Sequence, residues 1–171
     1  MIDRMLDMKA VEYQALILQP EVINLNELLA EVVANYKEKA QQKLIKIYLP
    51  TTETTYKALL DKNYTLQIIE NLLSNALKFS PPKKNIFIEL SNHQNKVKIT
   101  IKDEGPGIST EDQQKLFGKF QRLSARPTGG ETSVGLGLSI VKKFAEAMNG
   151  KIWCESTLGQ GASFIVEFQK V

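Results

Sequence analysis

Residues 61–79 read DKNYTLQIIENLLSNALKF, and this stretch carries two faces of different chemistry. On a helical wheel at about 100° per residue, Leu66, Ile68, Ile69, Leu72, Leu73, Ala76 and Leu77 fill one continuous arc of about 180°. Asp61 supplies an N-cap and Pro81-Pro82 a stop, so the spacing predicts a helix to about Phe79 with a core-facing side. Opposite that arc, Asn75 and Lys78 fall within about 40° of Asn71, at i+4 and i+7. Two amides and an ammonium aligned over two turns can hold an anion–metal pair. An amide oxygen is a hard ligand of the kind Mg²⁺ accepts, and a lysine is a point charge for phosphate. Taken alone, the stripe equally suits a solvated face.

Outward from this helix, alternation marks strands at Ile86-Ile88-Leu90 and Val97-Ile99-Ile101, separated by the polar turn SNHQN. Asp103 has the parity of the second strand's apolar set, so its carboxylate points toward the side its neighbours bury. A carboxylate there requires strong donors, and an adenine amino group is one. Gly105 and Gly107, around Pro106, allow a flat ligand to approach the backbone closely. An Asp in an ordinary strand-end turn is the plainer alternative. In SVGLGLSIV (133–141), Gly135 and Gly137 precede an amphipathic helix through Met148, and helix N-terminal amides form a ready phosphate site. A lone G-x-G is a weak signal.

The remaining chain supplies a frame. Residues 1–18 have helix-like apolar spacing, closed by Pro20; Asn24 with Glu27 resembles a capping box opening a helix to about Gln41. Ile45-Ile47-Leu49 alternate as a strand. Ser109 with Asp112 opens a short helix containing Leu116 and Phe117, and two strands close the chain at 151–155 and 163–168. Seven of the ten glycines lie between positions 105 and 137, pointing to a loop-rich segment there. The mixture predicts an α+β layer: helices on one face of a mostly antiparallel sheet.

Composition closes off other classes. The chain has 171 residues, 43% hydrophobic and 24% charged, within the globular range. A net charge of +3 without a basic–aromatic block excludes nucleic acid as the expected partner. One cysteine, Cys154, rules out a disulfide scaffold or cysteine-cluster metal site. No apolar run approaches a membrane span.

Together these stretches resemble the catalytic, ATP-binding domain of two-component sensor histidine kinases, over about residues 22–168. DKNYTLQIIENLLSNALKFS resembles the family's N box, DEGPGI its G1 box, KLFGKFQRL its F box and GLGLSIV its G2 box, in the family's order. GKIWCESTLGQGASFIVEF resembles its last two strands. Gyrase, chaperone and mismatch-repair ATPases are wider relatives sharing the Bergerat fold, so the resemblance implies that fold here: an α+β sandwich with helices on one face of a mixed, mostly antiparallel sheet.

The resemblance implies Mg²⁺ and ATP as cofactors. Asn75 would be the Mg²⁺ ligand, with Asn71 near the phosphates; Lys78 and Arg122 would contact phosphate, completing the catalytic set. Phe79 would lie beside the nucleotide, and Asp103 would accept from the adenine amino group, with Gly105 and Gly107 behind it. Ser163 would hold a water against the adenine, and Gly135, Leu136, Gly137 and Leu138 would receive the phosphates. Ile108 to about Val134 would form an ATP lid packed by Phe117 and Phe120. One departure is visible: Ser133-Val134 replaces the family's frequent Gly-Thr. His93, in a polar turn with no acidic neighbour, reads as a surface residue, so the phosphorylated histidine is expected outside this chain. Residues 1–18 resemble the tail of the dimerising phosphoacceptor hairpin, and 19–171 the catalytic domain, within a longer, homodimeric kinase. That implies a fragment inactive in autophosphorylation alone, a response regulator receiver domain as partner, and a cytoplasmic position under a soluble or membrane-anchored parent. The alternatives are a nucleotide-binding scaffold without transferase activity, a stand-alone ATPase and a protein-serine kinase. Glu70, about 100° around the helix from Asn71, is poorly placed as a hydrolytic base.

Overall fold

The computed structural model describes residues 16–118 and 137–171. Its frame is a five-stranded sheet in the order β2-β4-β5-β7-β6, built from β2 (Lys46–Tyr48), β4 (Asn85–His93), β5 (Lys96–Asp103), β6 (Lys151–Ser156) and β7 (Ala162–Gln169). The β2–β4 pair is parallel and the other pairs are antiparallel. Alternation places Ile86, Ile88, Val97, Ile99, Ile101, Phe164, Val166 and Phe168 in the core, against helices α1 (Leu25–Gln42), α2 (Lys62–Phe79) and α4 (Gly137–Ala147). The expected α+β sandwich is therefore the one observed.

Helix ends follow local chemistry. The Asn24 side chain accepts from the Glu27 amide at 3.2 Å and opens α1. Asp61 Oδ1 accepts from the Tyr64 amide at 3.1 Å, and its Oδ2 from the Gln19 amide at 2.9 Å. One carboxylate thus caps α2 and ties the entering chain to it. Ser80, before Pro81, turns to extended backbone (ψ 132°), which ends α2 where the proline demands. α4 closes on Asn149, in the left-handed region at φ 59°, with the Gly150 amide on the Ala145 carbonyl at 2.7 Å.

Three expectations need correction. Pro20 does not close a helix: Leu16–Gln19 carry no regular structure, and Pro20 heads β1 (Pro20–Asn24). β1 pairs antiparallel with β3 (Lys57–Asp61) in a separate two-stranded sheet. Neither strand is evident from its own five residues, because each is stabilised by a partner more than thirty positions away. The SNHQN stretch is mostly strand: β4 runs to His93, which pairs with Lys96, and the turn is Gln94-Asn95 with Gln94 at φ 55°. The short helix α3 is Thr110–Gln113, capped by Ser109, so Leu116 and Phe117 lie beyond it. Residues 1–15, where most of the expected N-terminal helix falls, lie outside the described residues. Among the described residues no helix is long and apolar enough to cross a membrane.

Candidate functional site: a cavity at the end of β5

The C-terminal end of β5 meets the last turns of α2 and the first turn of α4 around a cavity of about 420 Å³, measured to its open mouth. α2 contributes Asn75 and Phe79, β5 Asp103, the following loop Pro106, Gly107 and Ile108, α4 Leu138, and β7 Ala162 and Phe164. The lining is mostly apolar with one carboxylate and one amide. That combination suits a flat, largely apolar ligand with few polar handles.

Asp103 is 5% exposed, as strand parity demands. It stands opposite Ile86 on one side and Ala162 on the other. Its Oδ1 accepts from the Gly105 amide at 2.8 Å and the Ala162 amide at 3.2 Å. Burial pushes the carboxyl above the usual carboxylate range, and these two backbone donors hold it back. A buried carboxylate facing an apolar cavity is a strong acceptor for a ligand N–H. Cys154 sits nearby on β6; burial first, then the charge of Asp103, pushes its thiol up to about 12. It is an inert packing residue.

The glycines after Asp103 serve backbone packing as much as ligand access. A Cβ on Gly105 would stand 2.8 Å from the Phe79 carbonyl oxygen, so its absence lets the end of α2 close on this loop. Gly107 has φ +75°, and a Cβ there would collide with the Thr157 carbonyl oxygen. The Gly159 amide donates to the Pro106 carbonyl at 2.6 Å. The loop forming one cavity wall is thereby sewn to the β6–β7 turn.

Asn71 and Lys78 lie half-buried on α2 but outside the cavity lining. The Asn71 Nδ2 donates to the Gln67 carbonyl at 2.7 Å, which leaves Oδ1 turned toward the start of α4. A Cβ on Gly137 would come within 3.0 Å of that Oδ1. The amide stripe and the G2 glycine, 66 positions apart, therefore meet. Beneath Lys78, the Lys43 ammonium donates to the Leu77 and Lys78 carbonyls at 2.7 and 3.1 Å and neutralises the end of α2.

Of the residues singled out from sequence, Asn75, Phe79, Asp103, Gly107, Ile108 and Leu138 converge on the cavity. Gly105 supports it from behind. Ser163 does not reach it: it pairs with Lys102 and lines a separate polar hollow with Lys102 and Glu155. Its strand neighbours Ala162 and Phe164 line the cavity instead. Sequence reading placed Pro106 in the ligand-approach loop but missed Ala162 and Phe164 as lining residues, although the alternation on β7 that buries Phe164 carries the signal for Ala162 as well. Phe120, Arg122, Gly135 and Leu136, and with them most of the expected lid, lie outside the described residues. Among the described residues no group of three His, Cys, Asp or Glu side chains could hold a metal ion.

Residues 61–171 match the family described as histidine kinase-, DNA gyrase B-, and HSP90-like ATPase. The circadian input-output histidine kinase CikA of Synechococcus elongatus is 32% identical over 170 residues, spanning 97% of this chain and 22% of CikA. The chain likewise spans well under half the length of other curated sensor kinases that it matches. Among solved structures, full-length ShkA in complex with AMPPNP superposes with a TM-score of 0.86 at 26% identity, covering 99% of this chain and 35% of ShkA. The histidine kinase ThkA in complex with the response regulator protein TrrA superposes with a TM-score of 0.79 at 27% identity, covering 99% of this chain and 48% of ThkA.

Proposed function

This chain belongs to the histidine kinase-, DNA gyrase B- and HSP90-like ATPase family, and from that premise we propose that it is the catalytic domain of a two-component sensor histidine kinase. In this reading it binds Mg-ATP and passes the γ-phosphoryl group to a histidine outside this chain. The observation that carries it is the buried Asp103 carboxylate lining a mostly apolar cavity. Asp103 accepts from the exocyclic amino group of adenine, while Phe79, Ile108, Leu138 and Phe164 flank the ring. The triphosphate then leads toward the start of α4, past Asn71 and Gly137, with Lys78, Arg122, Gly135, Leu136 and the Leu138 turn as its partners.

The donor set fits Mg²⁺. The Asn75 amide lines the cavity, and a single hard oxygen suits an ion that keeps most of its shell as water and phosphate. Bound there, Mg²⁺ would neutralise developing charge on the phosphates. The chain's own residues orient the nucleotide and exclude water from the base.

The acceptor is not His93. That residue ends β4 opposite Lys96, seven positions along β5 from Asp103, or roughly 23 Å at the rise of a strand. Residues 1–18 are assigned to the tail of a phosphoacceptor hairpin and 19–171 to the catalytic unit, a division supported by β1 beginning at Pro20. A homodimeric parent and a receiver domain as phosphoryl recipient complete the scheme, with the domain in the cytoplasm; ThkA is the relative solved with a response regulator.

Calorimetric titration tests the site. Asp103→Asn replaces a charged acceptor by a neutral one and is expected to weaken Mg-ATP binding by about 1.5–3 kcal/mol. Asn75→Ala is expected to abolish the Mg²⁺ dependence of binding while leaving metal-free affinity near its starting value. Unchanged affinity in the first variant removes Asp103 from the site, and persisting Mg²⁺ dependence in the second moves the metal elsewhere.

A further inference from the structure

Ile108 lines the cavity, and its peptide is gripped from both ends by side chains that do not line it. The Ile108 N–H donates to Ser156 Oγ at 2.8 Å, and its carbonyl accepts from Gln113 Nε2 at 2.8 Å. The same Nε2 donates to the Ser156 carbonyl at 2.9 Å. The Ser156 hydroxyl itself donates to the Gly161 carbonyl at 2.6 Å. Gln113 therefore bridges the end of α3 to the end of β6, with the peptide of Ile108 between them.

This clasp takes over where the sheet stops. β5 ends at Asp103 and β6 at Ser156, so no ladder bond reaches Ile108. The Ile108 side chain is buried, and a buried peptide without partners is costly enough to drive the loop out of place. The hydrogen bond from the Gly159 amide to the Pro106 carbonyl anchors the loop before Ile108, and the clasp holds it at Ile108 itself.

We propose that Gln113 and Ser156 are positioning residues of the nucleotide pocket, presetting the Ile108 wall so that the base enters a formed slot; this rests on the reading of the cavity as a nucleotide site. Without the clasp, part of the binding energy goes into ordering the wall at each binding event. The wall faces the base and not the phosphates, so the penalty is the same whatever the length of the phosphate chain.

The test is calorimetry of the full chain with Mg-ADP and with Mg-AMPPNP, well below the melting temperature. Gln113→Leu and Ser156→Ala are each expected to weaken both nucleotides by about 5- to 20-fold. The double variant is expected to be little weaker than the worse single one, because the two act on one peptide. Ser156→Thr, which keeps the hydroxyl, is expected to bind within about twofold of wild type. A purely structural role would lower the melting temperature and leave affinity in place, so unchanged affinity in both single variants overturns the proposal. A loss confined to one nucleotide overturns it too. Wild type and Asp103→Asn run alongside: absence of nucleotide uptake by wild type overturns the underlying reading and the clasp's role with it. Uptake by wild type with indifferent Gln113 and Ser156 variants overturns the clasp alone.

Discussion

Asp103 has one oxygen committed to two backbone amides and a site nearly closed to water. Burial outweighs those amides and raises its pKa above the unfolded value of 3.8. Between the unfolded and folded values the native state binds the more protons, so this group makes stability fall as pH rises through that window. Ligand binding runs the other way, because an N–H donor needs the ionised carboxylate. Adenine-nucleotide affinity is therefore expected to fall on acidification at a higher pH than an ordinary carboxylate would allow. Asp103→Asn is expected to lose that limb. Titrating both proteins across the acid range checks this, since the nucleotide's own phosphate titration cancels in the difference. Parity on β5 was enough to point Asp103 inward; the amides that hold it, one of them 59 positions away on β7, could not be read from its own strand.

At the scale of elements, the loop after β5 and the β6–β7 turn form one unit, and their glycines are not equivalent. Gly107 and Gly159 both have positive φ, at +75° and +86°. A side chain on Gly107 would also collide with the Thr157 carbonyl, whereas one on Gly159 would meet nothing within 4 Å. Gly159→Ala is expected to cost about 1 kcal/mol, the left-handed penalty alone. Gly107→Ala is expected to cost about 3 kcal/mol or more, and to weaken nucleotide binding because the wall shifts. Urea unfolding of the two variants makes the comparison, and equal losses would mean that the contact with Thr157 carries no weight. Helices were the most legible elements: α2 ends at Phe79 and is capped by Asp61, as its sequence states. β1 and β3 were illegible because a five-residue strand has no identity without its partner.

For the whole molecule, the proposed nucleotide site and the chain's one histidine lie at opposite ends of the sheet. His93 stands at the far end of the central hairpin from Asp103. The chain incubated alone with labelled Mg-ATP is expected to incorporate no label. Supplied with a dimeric helical hairpin bearing a phosphoacceptor histidine, it is expected to transfer an acid-labile, base-stable label to the hairpin. Steady-state release of phosphate by the chain alone would favour an ATPase, and an acid-stable label would favour a serine kinase.

What the sequence determined by itself is whatever depends on neighbours a few residues away: caps, helix faces, strand parity and the order of four short motifs. These rest on steric and hydrogen-bonding preferences that act locally along the chain. What only the tertiary structure decided is which of those faces meet. Ser163 and Ala162 are adjacent, yet the pairing of β7 with β5 puts Ala162 beside the Asp103 carboxylate and Ser163 on the other side of the sheet. Such contacts are set by packing between segments far apart in the chain, where the closure of one core selects among positions that local preference leaves equal.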